Sequence, residues 1–331
     1  MLEKPDLPEE LIISHLREEF GLPITWVTFL PLGYDLNSAV YRAEMDDGMA
    51  YFLKLRKGDF AEISVALPHF LKAQGVQAII APLETRRRHL WGSLGEYKMI
   101  LYPFVKGENG YTLAPTKRQW LDFGAALGGI HRAQPPPALR QKLPQETYSP
   151  HWRKAVKRFQ VQVEVTRFAE PVAAKLAAFM REKQEEISHV VERAEDLGRV
   201  LQRRSPELVL CHADLHPGNL LISPDGELYI VDWDNPILAH RERDLALVGG
   251  CPAWSHPKQE ALFYQGYGDA EVDREALAYY RYERIVVDMA EFCKQLLLTE
   301  KGGEDREQGF QYFTSVFLPG HEIELAALVN L

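Results

Sequence analysis

The chain has 331 residues, with 38 Lys and Arg against 47 Asp and Glu, for a net charge of −9. Its 46% hydrophobic and 26% charged content matches a folded globular protein and excludes a disordered tail, a collagen-like repeat and a coiled coil. The acidic balance argues against nucleic acid or an anionic membrane as main partner, and the length suggests about two domains. The three cysteines, Cys211, Cys251 and Cys293, are too sparse and too far apart for a disulfide framework. The start, MLEKPDLPEELI, lacks the basic and apolar regions of a signal peptide, and no apolar run reaches membrane-spanning length. A reducing cytoplasm is the expected location.

Residues 7–19 show helical spacing, with Leu11, Ile12 and Leu16 on one face. Strands are predicted over 24–31, 38–44 and 50–55, the last two joined by the turn-rich Met45-Asp46-Asp47-Gly48. Residues 61–74 read as a helix that Pro68 should kink or split. Apolar runs at 78–83 and 97–105 read as further strands. After Gly107 the pattern changes. Trp120, Phe123, Leu127 and Ile130 mark a helix over 116–133, ended by three prolines at 135–137. Residues 150–204 are charged and helical. Strand signals return at 208–210 and on either side of the Pro224-Asp225-Gly226 turn, and the chain from about 256 is helical. The expected organisation is a β-rich lobe over 1–105 and a larger helical lobe over 106–331, with a nucleotide cleft near residue 105.

The segment LVLCHADLHPGNLLI, residues 208–222, packs polar groups between apolar strands. Its Asp214 and Asn219 stand five apart. A kinase catalytic loop needs this pair: an Asp to take the proton of the attacking hydroxyl and an Asn to hold magnesium. Pro217-Gly218 supplies a turn that brings both to one face. The hairpin then leads into Val231-Asp232-Trp233-Asp234, where Asp232 occupies the place of the aspartate that links magnesium to ATP phosphates. In the small lobe, Lys54 lies in the strand YFLKL, the setting of a lysine that contacts the α- and β-phosphates, with Glu62 available to orient it. The segment Leu32 to Ser38 is a candidate phosphate loop, through Gly33 and the polar Asn37 and Ser38.

With these residues assembled, the chain resembles the aminoglycoside phosphotransferase family of kinase-like enzymes. HADLHPGN and IVDWD look like its two signature segments, and YPFVKGENG and IVDWDNPILAHRERDL extend the likeness. The resemblance implies an α+β, bilobal protein-kinase-like fold. It implies ATP-dependent transfer of the γ-phosphate to a hydroxyl of a small molecule, with ATP and Mg2+ as cofactors and an aminoglycoside or aminocyclitol such as spectinomycin as acceptor. Asp214 would be the base, Asn219 and Asp232 metal ligands, and Tyr102, Phe104 and Val105 the adenine hinge. His212 would brace the loop, and Asp244 would steady it. The metal segment departs from the Asp-Phe-Gly of protein kinases, reading Asp-Trp-Asp.

About a dozen residues separate Asp232 from Asp244, too few for a peptide-binding activation segment, so a small acceptor is favoured. By the resemblance, late helices offer carboxylates to a cationic acceptor, here Asp234, Glu283, Asp288 and Glu291. Three alternatives stand beside this reading. One is a kinase of a metabolite such as choline, homoserine or a sugar. Another is a metal-dependent hydrolase built on His212-x-Asp214-x-His216. The third is a nucleotide-binding protein without catalysis.

Overall fold

The computed structural model describes residues 4–32, 37–204, 207–268, 271–300, 302–303 and 305–329. In chain order the elements are α1 (Glu9–Phe20), β1 (Ile24–Leu30), β2 (Ser38–Met45), β3 (Ala50–Lys57), α2 (Ile63–Ala73), β4 (Gly92–Leu94), β5 (Tyr97–Pro103), β6 (Glu108–Asn109), α3 (Lys117–Arg132), α4 (Pro137–Arg140), α5 (His151–Val165), α6 (Pro171–Glu182), α7 (Gln184–Gln202), β7 (Val209–Cys211), β8 (Leu220–Ile222), β9 (Leu228–Ile230), β10 (Ile237–Ala239), α8 (Glu242–Leu245), α9 (Pro257–Tyr267), α10 (Arg274–Leu297), α11 (Asp305–Ser315) and α12 (Glu322–Ala327). They form two compact units: Met1–Pro144 with His216–Pro236, and Gln145–Leu215 with Ile237–Leu331.

The first unit is built on an antiparallel sheet of order β1-β2-β3-β5-β4. Alternation along β3 sends Tyr51, Leu53 and Leu55 inward, leaving Lys54 and Arg56 on the opposite face. The inward side chains pack with Ile12 and Leu16 of α1 into one core. A second ladder, β6-β8-β9, belongs to the same unit. The hairpin β8-β9 pairs Leu220 with Ile230 and Ile222 with Leu228. Helix α3 begins with a capping box, in which Thr116 and Gln119 satisfy each other's backbone N–H. Gln119 also donates to the carbonyl of Gly226 (2.9 Å), fixing the helix start to the hairpin turn. The two-residue strand β6 runs close to its neighbours. A Cβ at Gly107 would lie 2.5 Å from the carbonyl oxygen of Ile222, and one at Gly110 would lie 2.8 Å from that of Pro217. Only glycine fits such an approach.

The second unit is helical, with a short antiparallel ladder of β7 and β10. The 24-residue α10 runs through its centre and packs against α5, α6, α7, α8, α11 and α12. Ile285, Val286, Met289 and Cys293 of α10 join Val190, Val191 and Leu197 of α7 in one buried cluster. Their spacing, i, i+1, i+4, i+8, gives one apolar face of a long helix.

Two local expectations change, and a third is refined. Residues 78–83 form no strand: Ile79 makes one parallel bridge to Ile230, and Leu83 donates to the carbonyl of Leu101. Pro82 lacks the N–H a ladder needs, and the fifth strand is instead Gly92–Leu94. Pro68 lies inside a continuous α2. There the burial of Ile63, Val65, Leu67 and Leu71 outweighs one lost hydrogen bond, because packing supplies most helical stability. The charged stretch 150–204 is three helices, α5, α6 and α7.

Candidate active site

Lys54 is held by two carboxylates. Its Nζ donates to Asp232 (2.9 Å) and Asp234 (2.8 Å). Burial alone would lower the affinity of this amine for its proton, but the two carboxylates outweigh it and hold the pKa above the ordinary lysine value. Arg56, two residues along the same strand face, also donates to Asp234. Glu62 is elsewhere: it precedes α2, and its carboxylate pairs with Lys142 at 2.8 Å.

Backbone bonds tie the two expected metal ligands together. The N–H of Val231 donates to the carbonyl of Asn219 (3.0 Å), immediately before Asp232. Asn219 ends the short 3-10 turn Pro217–Asn219, whose entry is capped by His216 accepting from the N–H of Gly218 (3.0 Å). Asp232 has a left-handed backbone, φ 65°, which non-glycine residues adopt uncommonly and mostly at functional or turn positions. Asn219 and Asp232 offer a carbonyl and a carboxylate oxygen, the hard donors that Mg2+ takes.

Asp214 belongs to the second unit. Its segment begins at the end of β7, where buried Asp244 accepts the N–H of both His212 and Ala213, each at 2.7 Å. Ala213 is left-handed, φ 72°, so Asp244 secures a turn the backbone would not favour alone. The N–H of Asp214 donates to Nδ1 of His212 (3.3 Å). Its carboxylate accepts from Nη1 of Arg284 (2.6 Å), and the same guanidinium donates through Nε to Asp288 (3.0 Å). Burial opposes the charge on Arg284, yet Asp288 and Asp214 raise its pKa. Burial raises the pKa of Asp288 against the pull of Arg284.

The remaining positions sort by their partners. Tyr102 and Pro103 end β5, and Phe104 donates its N–H to Ala50 (3.2 Å) beneath the guanidinium of Arg42. Burial raises the pKa of Tyr102. Ser38 starts β2 opposite Arg56, and Asn37 accepts the N–H of Lys57 through its carbonyl. Gly33 lies outside the described residues. Glu283 is bound to Arg153 at 3.1 Å inside the helical unit, and burial pushes its pKa up to about 7 while Arg153 pulls it down. Glu291 pairs with Lys294 at the surface.

Residues 28–280 match the phosphotransferase enzyme family. A spectinomycin phosphotransferase solved with ADP and spectinomycin is 34% identical over 98% of this chain and 99% of its own, with TM-score 0.91. The chain belongs to that phosphotransferase family.

The AMP complex of a spectinomycin phosphotransferase agrees, at 33% identity and TM-score 0.87, over 97% of this chain and 99% of its own. Protein StrN of Streptomyces griseus is 24% identical over 95% of this chain and 92% of its own length. A choline kinase from Streptococcus pneumoniae, 15% identical with TM-score 0.58 over 93% of this chain and 97% of its own, shares the fold. This phosphotransferase therefore has the α+β kinase-like fold expected from its sequence, with a sheet-based N-terminal part and a helical C-terminal part. It is an enzyme of the small-molecule kinase type, acting on an alcohol group. Among its described residues, no helix is long and apolar enough to cross a membrane. Sequence reasoning missed two cations of this phosphotransferase, Arg56 and Arg284. The i, i+4 spacing of Arg284 and Asp288 is the sequence signal for that pair.

Proposed function

We propose that the chain transfers the γ-phosphate of ATP to a hydroxyl of spectinomycin or a related aminocyclitol. The full-length likeness to spectinomycin phosphotransferase, at 34% identity, carries this reading. Asp214 takes the proton of the acceptor hydroxyl as its oxygen bonds to the γ-phosphorus, and the bond to ADP breaks. Lys54 contacts the ATP phosphates, and Asn219 and Asp232 hold Mg2+. Bound Mg2+ supplies neutralisation of the charge on the phosphates. Glu62 orients Lys54 by leaving Lys142. Residues Tyr102 to Val105 pair with adenine, and Gly33, Asn37 and Ser38 contribute phosphate contacts.

Residues 1–105 make up the nucleotide-binding lobe and residues 106–331 the catalytic and acceptor-binding lobe. The acceptor is cationic and meets Asp288 and Glu291, while Asp234 and Glu283 serve internal cations. The location is cytoplasmic, in keeping with three free buried cysteines.

A metal-dependent hydrolase fits less well, since His212 and His216 each accept a backbone N–H of their own loop through Nδ1. Purified protein is incubated with Mg-ATP and spectinomycin, kanamycin, choline, homoserine or methylthioribose, and ADP and phosphorylated product are measured. Spectinomycin-dependent turnover is the expected result. Turnover with choline, homoserine or methylthioribose alone would favour a metabolite kinase and overturn the aminocyclitol assignment.

A further inference from the structure

Helix α10 carries two inward arginines with different partners. Arg281 donates to the backbone carbonyls of Ala246, Val248 and Leu325, a structural task of joining chain segments. Arg284, one turn further on, donates to two carboxylates, Asp214 at 2.6 Å and Asp288 at 3.0 Å. Its side chain is 30% exposed, and it joins its own helix, through Asp288, to the segment that carries Asp214. We propose that Arg284 is a positioning residue for phosphoryl transfer, holding the Asp214 carboxylate at the angle from which it receives the acceptor proton and being itself held by Asp288. This rests on the role given to Asp214 above.

Two separate constraints act on Asp214. Asp244 fixes the backbone on either side of the left-handed Ala213. Arg284 acts on the Asp214 carboxylate itself and from another element, since α10 is anchored along its length in the buried core. A guanidinium is suited to this because its donors are fixed in one plane: with Nε committed to Asp288, Nη1 has a set direction toward Asp214. Phosphoryl transfer depends on positioning, and a displacement near 1 Å can cost about 10²-fold in rate. The rotating donors of a lysine ammonium lack this fixed plane and do not set one direction toward Asp214.

The test compares wild type, Arg284→Ala, Arg284→Lys, Asp288→Asn and Asp214→Asn in the full chain with Mg-ATP and spectinomycin. Arg284→Ala is expected to lower kcat by ~10-fold or more while leaving the KM for ATP unchanged. Millimolar free guanidinium should restore part of the lost kcat in Arg284→Ala and none in Asp214→Asn. Arg284→Lys should recover only a fraction, and Asp288→Asn should lower kcat less than Arg284→Ala does. Wild-type kcat in Arg284→Ala overturns the inference and leaves the kinase reading intact. So does a loss of kcat that guanidinium does not relieve, which would assign Arg284 to stability. A wild-type chain inert toward every acceptor in the panel overturns the kinase reading and this inference with it.

Discussion

The ammonium of Lys54 lies 2.9 Å from the carboxylate of Asp232, joining residues 178 positions apart in the chain. One comes from the middle of a sheet, the other from the left-handed residue after a hairpin. The arrangement predicts that Lys54→Met weakens ATP binding and lowers kcat by ~10² or more, the usual cost of removing one preorganised charge from a reacting phosphate. Isothermal titration with ATP and steady-state kinetics check the two effects separately. The raised pKa of Lys54 adds stability that is complete below the unfolded lysine value near 10.4 and fades as pH rises through the higher folded value. Melting curves of wild type and Lys54→Met should therefore keep a constant separation between pH 6 and 9.

Asp214→Asn keeps the shape of the side chain and removes its ability to take a proton. Turnover is expected to fall by at least ~10², with ATP affinity nearly unchanged. Full activity in this variant would remove Asp214 from its assigned role.

Asp244 is buried and accepts two backbone N–H groups. Asp244→Ala leaves both donors without that acceptor, at ~1–3 kcal/mol each. A drop in melting temperature of several degrees is expected, together with a fall in kcat from the loosened Asp214 segment. Differential scanning fluorimetry and acceptor-dependent ADP release provide the readouts.

Glu283 has a pKa pushed up to about 7 by burial, above the unfolded glutamate value near 4.3. Below both values the carboxyl is neutral in either state and has no effect on the balance. As pH rises between them, the unfolded chain loses its proton first, so stability falls with pH at this site and levels off above about 7. Glu283→Gln should remove that slope. Its melting temperature, measured relative to wild type, should rise between pH 5 and pH 8, and the KM for the acceptor should stay the same.

The stretch that carries Asp214, Asn219 and Asp232 was legible as strand-turn-strand because apolar runs flank the turn residues Pro217-Gly218 and Pro224-Asp225-Gly226. Lys54 was legible from the alternation of β3, which marks the face a lysine takes. What the sequence concealed depends on distant approach. Arg284 reaches Asp214 across 70 residues, and nothing in the residues around either announces the other. Glu62 pairs with Lys142, 80 residues away in the chain, and nothing in the residues around Glu62 announces that pairing. The strand expected over 78–83 failed for a local reason, Pro82, that the apolar pattern masked.

The close passage of β6 has one more consequence. Gly107 and Gly110 carry no chemistry, yet a methyl group at either would press on the backbone of Ile222 or Pro217. Pro217 opens the turn that ends in Asn219. A genetic selection for loss of phosphotransferase activity should thus yield mutations at these two glycines as readily as at the residues proposed to handle phosphate.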